Sequence, residues 1–298
     1  MGDEQLRVGL VGAGPWAKMV HAPGLADHPG TDLTAVWARQ PTVAKMLADA
    51  HGAAAAESVD ELFEQVDAVA FAVPPGIQAE LAVRAAEAGK HVILEKPIAA
   101  DLAGAQRLAD AVSAADVVSL VVLTLRFSAQ TREWLDGIAT VGGWHGGGAR
   151  WLSGALLGGA YSSSAWRQEN GGALADIGPH ALDLLDAALG PITEVIAARC
   201  SEGDLWHLML AHENGSISTA TLSLRLPVMP TVAEVAVWGE HGYRTLGRKA
   251  GSAQESYTAL LDDFAAMVAS GITEHACDVR RGLHIQRLIE RARELAGE

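Results

Sequence analysis

The stretch "GLVGAGPWA", residues 9–17, decides the fold. "RVGLVGAG" is a buried strand followed by a glycine turn, and Gly12-Ala13-Gly14-Pro15-Trp16-Ala17 forms a G-x-G-x-x-A pattern that opens a helix. Gly12 permits the tight turn, Gly14 lets backbone approach a pyrophosphate, and Ala17 allows close packing of helix on strand. Glycines also make turns that bind nothing, so the pattern alone is weak. Here a strand precedes, a helix follows, and the motif heads a series of βαβ units, which is the context a dinucleotide site requires. Gly12, Gly14, Pro15, Trp16 and Ala17 are therefore candidate cofactor-binding residues.

Outward from the turn, strand-like and helix-like stretches alternate. "DLTAVWAR" (32–39) is a strand and "VAKMLADAHG" (43–52) a helix closed by Gly52. "DAVAFAVPP" (67–75) ends in Pro74-Pro75, and "IQAELAVRAAEAGK" (77–90) is an Ala-rich helix closed by Gly89. "HVILEKP" (91–97), a helix over 101–115 and "VVSLVVLTL" (117–125) complete the series. Continuous hydrophobicity in such strands means that both sheet faces are covered by helices. The expectation is an α/β fold, with a doubly wound parallel Rossmann sheet over residues 1–125.

Past that point the character changes, and residues 126–298 read as an α+β domain with an open, mainly antiparallel sheet. "GGWHGGGARWLSGALLGGAYSSS" (142–164) reads as loop or irregular strand. In "ATLSLRLP", Ala220, Leu222, Leu224 and Leu226 alternate with Thr221, Ser223 and Arg225, the period of a half-wet sheet. Asn214-Gly215 is a hairpin signal. Ile285, Leu288, Ile289 and Ala292 form the apolar stripe of a final helix. A half-wet sheet face usually finds a partner, so a homodimer or homotetramer is expected.

Composition bounds the partners. Hydrophobic residues make up 49% of the 298 and charged residues 19%, a globular balance. A net charge of −14 argues against nucleic acid or an anionic membrane as partner, although a phosphorylated cofactor needs only backbone N–H groups and a local cation. Two cysteines, Cys200 and Cys277, make no disulfide framework, the N-terminus lacks the basic start of a signal peptide, and apolar runs are too short to span a bilayer. A cytoplasmic protein is expected.

The tip of "HVILEKP" departs from a core strand, with Glu95 and Lys96 together and Pro97 ending the ladder. Ligands of open α/β sheets bind beyond the carboxyl ends of the strands, so Lys96 is aimed at the cofactor, with Pro74 at the end of the preceding strand. A second constellation lies in "NGGALADIGPHALDLL" (170–185). Asp176 and His180 are one helical turn apart. Pro179 is tolerated near a helix start, so the spacing predicts a helix from about Gly178, with His180 in its first turn and Asp176 just before it. Either Asp176 caps that helix and His180 is an interior histidine, or the two are functional. No third ligand of suitable spacing beyond Asp183, and no cysteine, joins them, so no metal site is expected.

Together the glycine turn, "AGKHVILEKP" and "GGALADIGPHALDLL" resemble the Gfo/Idh/MocA oxidoreductases, a family that includes glucose-fructose oxidoreductase and inositol dehydrogenase. The resemblance covers nearly the whole chain, including the closing "DVRRGLHIQRLIERA". It implies an NAD(P)-dependent dehydrogenase or reductase that moves a hydride between nicotinamide and a hydroxyl or carbonyl of a sugar, cyclitol or keto-sugar. It further implies that Lys96 hydrogen-bonds the reacting oxygen, with the Lys96–Pro97 bond commonly cis, that His180 is the general acid/base, and that Asp176 orients the imidazole or a substrate hydroxyl. Glu95 would position Lys96 or the ribose. Gln78 stands where many relatives carry histidine and reads as a packing difference, and the chain is shorter than most relatives. Arg126, Trp166 and Arg167 are candidate pocket residues, or else surface and structural ones. The rival readings are a dinucleotide-binding regulator without turnover and an NAD-dependent glycoside hydrolase.

The end of the second strand bears on the cofactor. An NAD site wants a carboxylate about 20 residues beyond the glycine turn, for the ribose hydroxyls. "AVWARQP" offers Ala38 there and Arg39 next, a guanidinium suited to a 2′-phosphate and to stacking on adenine. NADP(H) is the expected cofactor, with NAD(H) possible.

Overall fold

The computed structural model describes residues 5–158, 162, 164–169, 171–247 and 251–297. Compactness divides the chain into two units by more than a single cut. One comprises Met1–Phe127 and Ser252–His284, the other Ser128–Gly251 and Ile285–Glu298.

The first unit contains β1 (Leu6–Val11), β2 (Thr31–Trp37), β3 (Ala54–Ala55), β4 (Ala68–Phe71), β5 (His91–Leu94) and β6 (Ser119–Val121) in one sheet. Its order is β3-β2-β1-β4-β5-β6, and every pairing is parallel. This is the doubly wound Rossmann order, with the topological switch beside β1. Val8, Leu10, Val69, Ala70, Val92 and Ile93 are fully buried, as covered sheet faces demand. The helices are α1 (Ala22–Asp27), α2 (Pro41–His51), α3 (Val59–Gln65), α4 (Pro75–Glu87), α5 (Leu102–Ala115) and α6 (Thr124–Phe127). Ser58 and Asp101 cap α3 and α5 through their side chains, each supplying an acceptor that an orphan N–H needs. Gly52 ends α2 in the left-handed conformation, and Gly89 adopts the same conformation after α4. Helical structure begins at Pro15 and passes through a π-helical turn, Ala17–His21, before α1.

In the second unit α7 (Ala129–Val141), α8 (Ala165–Gln168) and α9 (Gly172–Leu189) accompany a second sheet. Its strands are β7 (Trp144–Leu152), β8 (Ile192–Ser201), β9 (Leu205–His212), β10 (Ile217–Ser223), β11 (Val232–Gly239) and β12 (Gly242–Gly247). The order is β12-β11-β7-β10-β9-β8, antiparallel throughout except for the parallel β7–β10 pair. Asn214-Gly215 makes the β9–β10 hairpin, with Gly215 at φ 83° and Ser216 N–H donating to Asn214 Oδ1. Ala220 and Leu222 point to the buried face, as their alternation requires.

The glycine-rich stretch corrects the sequence reading, because much of it is a regular strand at the centre of this sheet. A Cβ at Gly146 would lie 2.7 Å from the indole nitrogen of Trp238, and one at Gly147 would lie 2.9 Å from a methyl of Leu189 in α9. The glycines form a flat floor for large neighbours on both faces, a tertiary demand that no local propensity reports. Residues 159–161 and 163 of that stretch lie outside the described residues. Helix α9 packs on the sheet through Leu182 and Leu185, both fully buried, and truncating either to alanine costs about 2–5 kcal/mol. The last helices are α10 (Ala253–Ser270) in the first unit, opened by a Ser252/Glu255 capping box, and α11 (Val279–Ala296), whose Ile285, Leu288, Ile289 and Ala292 are buried.

Candidate active site

The glycine turn lies where the end of β1 meets the end of β4. Gly12 sits at φ +121°, and a Cβ there would lie 2.3 Å from the carbonyl oxygen of Ala72, so two independent constraints require glycine. Around Gly14 a Cβ would meet nothing within 4 Å, which leaves its backbone open to a ligand. Ala17 is fully buried, consistent with close helix–strand packing. Pro15 starts the helix, and Pro74 precedes α4 in extended conformation. Gly12 N–H donates to Trp37 O at 2.8 Å, which binds the end of β2 to the turn. Arg39, two residues further, is exposed. These features fit a dinucleotide: a tight turn, an open backbone and a helix start for a pyrophosphate, with a cation beside them.

At the tip of β5, Lys96–Pro97 is a cis peptide. The tip is tied down from two sides. Gln78, fully buried in α4, donates to Glu95 O at 2.7 Å and Ile98 O at 3.1 Å, and accepts from Glu95 N–H at 2.8 Å. This corrects the packing reading of Gln78, because its amide satisfies backbone groups that Pro97 withdraws from the ladder. The Glu95 carboxylate in turn accepts from Trp16 Nε1 at 2.7 Å and pairs with His21 Nε2 at 2.8 Å, both through Oε1. Its Oε2 faces Lys96 N–H at 3.3 Å. His21 Nδ1 lies 3.0 Å from Tyr257 Oη. Arg126 sits in α6, beyond the carboxyl end of β6.

In the second unit, Asp176 and His180 both lie inside α9, with Pro179 between them. The helix therefore begins six residues before the sequence predicted, and Asp176 is no cap. The capping carboxylate is that of Asp204, which accepts from Gly171 N–H at 3.1 Å and Ala173 N–H at 2.7 Å. A side chain from a distant turn supplies what local sequence did not, and Pro179 is carried within a helix already held at its start. Asp176 is ion-paired with Arg167, Nε to Oδ2 at 2.9 Å, in a partly buried setting. The Arg167 guanidinium also lies 4.2 Å from the ring centre of Trp166, a cation–π geometry. His180 is buried and stacks on Trp151 with centroids 6.0 Å apart. Within this unit, Asp176, Arg167 and Trp166 are brought together, and His180 lies one turn along the same helix.

The sequence reading missed His21, Tyr257, Trp151 and Asp204. His21 carries a local signal, being a histidine one turn after the glycine motif. Tyr257 is 236 residues away from it, so nothing local pairs them. Among the described residues no cluster of three or more His, Cys, Asp or Glu is placed to hold a metal. Nor is any described helix long and apolar enough to cross a membrane.

Residues 6–123 match a family described as an oxidoreductase family with an NAD-binding Rossmann fold, and residues 147–244 match the GFO/IDH/MocA C-terminal domain. The two matches together cover more than half of the chain. The chain belongs to the Gfo/Idh/MocA family. One family relative is dTDP-3,4-didehydro-2,6-dideoxy-alpha-D-glucose 3-reductase of Streptomyces violaceoruber, 36% identical over 193 residues. That match covers 62% of this chain and 55% of the relative, so the chain spans about half of the relative's length. Among solved structures, a dehydrogenase from Bordetella pertussis in complex with NADH and UDP-GlcNAcA superposes with a TM-score of 0.85 at 23% identity, over 99% of this chain and 97% of that one. A 3-ketoreductase from Actinomadura kijaniata in complex with TDP-benzene and NADP gives 0.77 at 22%, over 98% of each. At these identities the likeness is one of fold, and it extends over the parallel and the mixed sheet alike.

Proposed function

We propose that this member of the Gfo/Idh/MocA family is an NAD(P)-dependent oxidoreductase acting on a hydroxyl or carbonyl of a sugar, cyclitol or keto-sugar. The observation that carries the reading is the position of Lys96, at the carboxyl end of β5 in the same parallel sheet whose β1 ends in the open glycine turn. Open α/β sheets bind ligands beyond those strand ends. When bound, nicotinamide supplies or accepts the hydride. The chain's own residues handle the oxygen and its proton. Lys96 donates a hydrogen bond to the substrate oxygen and stabilises negative charge as it develops there. His180 exchanges the proton, giving it to the oxygen in reduction and taking it in oxidation. Asp176, held by Arg167, orients His180 or a neighbouring hydroxyl, and Arg126, Trp166 and Arg167 contact the substrate.

Arg39 supports a preference for NADP(H) over NAD(H), because the end of β2 offers an exposed cation for a 2′-phosphate. Exposed Met209, Ile217, Trp238 and Tyr243, on the sheet face away from α9, support a homo-oligomer. A monodisperse monomer in light scattering at micromolar concentration contradicts that part of the proposal. The scarcity of cysteine supports a cytoplasmic location. A screen of sugars, cyclitols and keto-sugars with both cofactors, read by nicotinamide absorbance, tests the activity. Turnover with at least one polyol or ketone is expected, whereas tight cofactor binding without turnover favours a regulator.

A further inference from the structure

Within the first unit a line of polar groups, buried at Tyr257 and His21 and half-buried at Glu95, runs from α10 to the tip of β5, and the chemistry proposed above does not use its buried end. Tyr257 is fully buried, with its hydroxyl 3.0 Å from His21 Nδ1. His21, also fully buried, sits in the π-helical turn, and its Nε2 lies 2.8 Å from Glu95 Oε1. The same oxygen accepts from Trp16 Nε1, in the helix that opens the glycine turn. A carboxylate only accepts, so Nε2 carries a proton toward Glu95, and in a neutral imidazole Nδ1 then accepts from the phenol. Burial, and to a lesser degree the Glu95 charge, push the Tyr257 phenol well above its usual pKa, so it stays a donor.

A second feature shows that the contact is built in. His21 and Gly24 are three residues apart on one helical face, and a Cβ at Gly24 would lie 2.5 Å from the Tyr257 ring. Glycine there makes room for the tyrosine, whose ring centroid is 4.7 Å from that of His21. The line ends at a phenol that water does not reach, so it has no outlet for a proton. A clamp needs no outlet. Its far end is a carboxylate that touches both the cofactor-side helix, at Trp16, and the backbone N–H of Lys96.

We infer that Tyr257 and His21 are positioning residues for Lys96, acting through the Glu95 carboxylate, which they hold between the glycine-turn helix and the tip of β5. The inference deepens the dehydrogenase reading and rests on it for its kinetic consequence. Supporting groups hold a reacting group in place; around metal ligands, where the effect is best measured, losing one typically costs about 10- to 100-fold in activity. A misplacement of about 1 Å costs on the order of 10²-fold.

The test compares Tyr257→Phe, His21→Leu and His21→Gln with wild type, using hydrogen exchange over residues 91–100 and steady-state kinetics. Tyr257→Phe keeps the ring in its cavity and removes only the donor, so the fold survives it. His21→Gln keeps an N–H for Glu95, whereas His21→Leu removes it. Faster exchange at the β5 tip is expected in Tyr257→Phe and His21→Leu, with His21→Gln close to wild type. With a confirmed substrate, kcat falls about 10-fold in Tyr257→Phe and on the order of 10²-fold in His21→Leu, KM is unchanged, and His21→Gln recovers most of the loss. Wild-type exchange at the tip in both disruptive variants overturns the inference, as does a kcat loss shared equally by His21→Gln and His21→Leu, the mark of a packing role. Should wild type convert no polyol or ketone, the activity reading fails and the exchange measurement alone decides the clamp.

Discussion

The tip of β5 and the middle of α9 carry the residues proposed for the chemistry, and they are held in different ways. At the β5 tip N–H donors do the holding: the buried Gln78 amide on the backbone, and the half-buried Trp16 indole and buried His21 imidazole on the Glu95 carboxylate. In α9 a charged pair does it, Arg167 with Asp176, while Trp151 lies against His180. A strand end has backbone groups that nothing in the ladder satisfies, so it recruits side chains to itself. A helix satisfies most of its own interior and needs help at its ends, and at the start of α9 Asp204 provides it. A site on a strand tip therefore announces itself by a break in pattern, whereas a site inside a helix hides in it.

Several substitutions press on this contrast. The largest effect belongs to the proposed reacting groups. Lys96→Ala and His180→Ala are each expected to lower turnover by about 10²–10⁴-fold while cofactor affinity, measured by titration, stays near wild type. Wild-type turnover by either variant removes that residue from the proposal. Next is the backbone clamp. Gln78→Leu leaves buried backbone groups of Glu95 and Ile98 without their partner, at a cost of about 1–3 kcal/mol in denaturant unfolding. A variant as stable as wild type would show that water replaces the amide, and that the β5 tip is no more demanding than α9.

Smaller effects follow at the periphery. Arg39→Ala is expected to weaken NADP binding by about 10- to 100-fold and to leave NAD binding unchanged, since a hydrogen bond to a charged group contributes about 1.5–3 kcal/mol. Equal affinities for the two cofactors in wild type contradict the preference. The least effect concerns His91 at the start of β5. Burial lowers its pKa, with the charge of Asp67 opposing, and its Nδ1 accepts from Val118 N–H. The neutral form is the one that folds. Its contribution is therefore full above the ordinary histidine pKa of about 6.5 and is lost as pH falls below that value toward the lowered folded one. Melting temperature should decline on acidification from neutrality, and less steeply in His91→Phe. Parallel curves for the two proteins would assign the decline to other groups.

Much of this was legible in the sequence because the signals are local. The glycine turn, the alternation of strands and helices, the break at Glu95-Lys96-Pro97 and the Asn214-Gly215 hairpin are all set within a few residues. What was not legible depends on distant partners. Gly146 and Gly147 read as loop or irregular strand because the residues they accommodate, Trp238 and Leu189, lie elsewhere in the chain. The start of α9 was misplaced because its cap is Asp204, and Gln78 read as a packing difference because its partners are backbone atoms of Glu95 and Ile98, just beyond β5. His21 and Tyr257 are invisible as a pair until the chain is folded.

The central claim is hydride transfer to a substrate carbon with Lys96 at the oxygen. Reduced nicotinamide deuterated at its transferring position, offered with keto-sugars to wild type and Lys96→Ala, tests it most directly. The account predicts deuterium on the newly formed carbinol carbon with wild type, formed at least about 10²-fold more slowly by the variant at unchanged cofactor affinity. Tight cofactor binding with no deuterium in any product, or sugar released without net redox change, would contradict it.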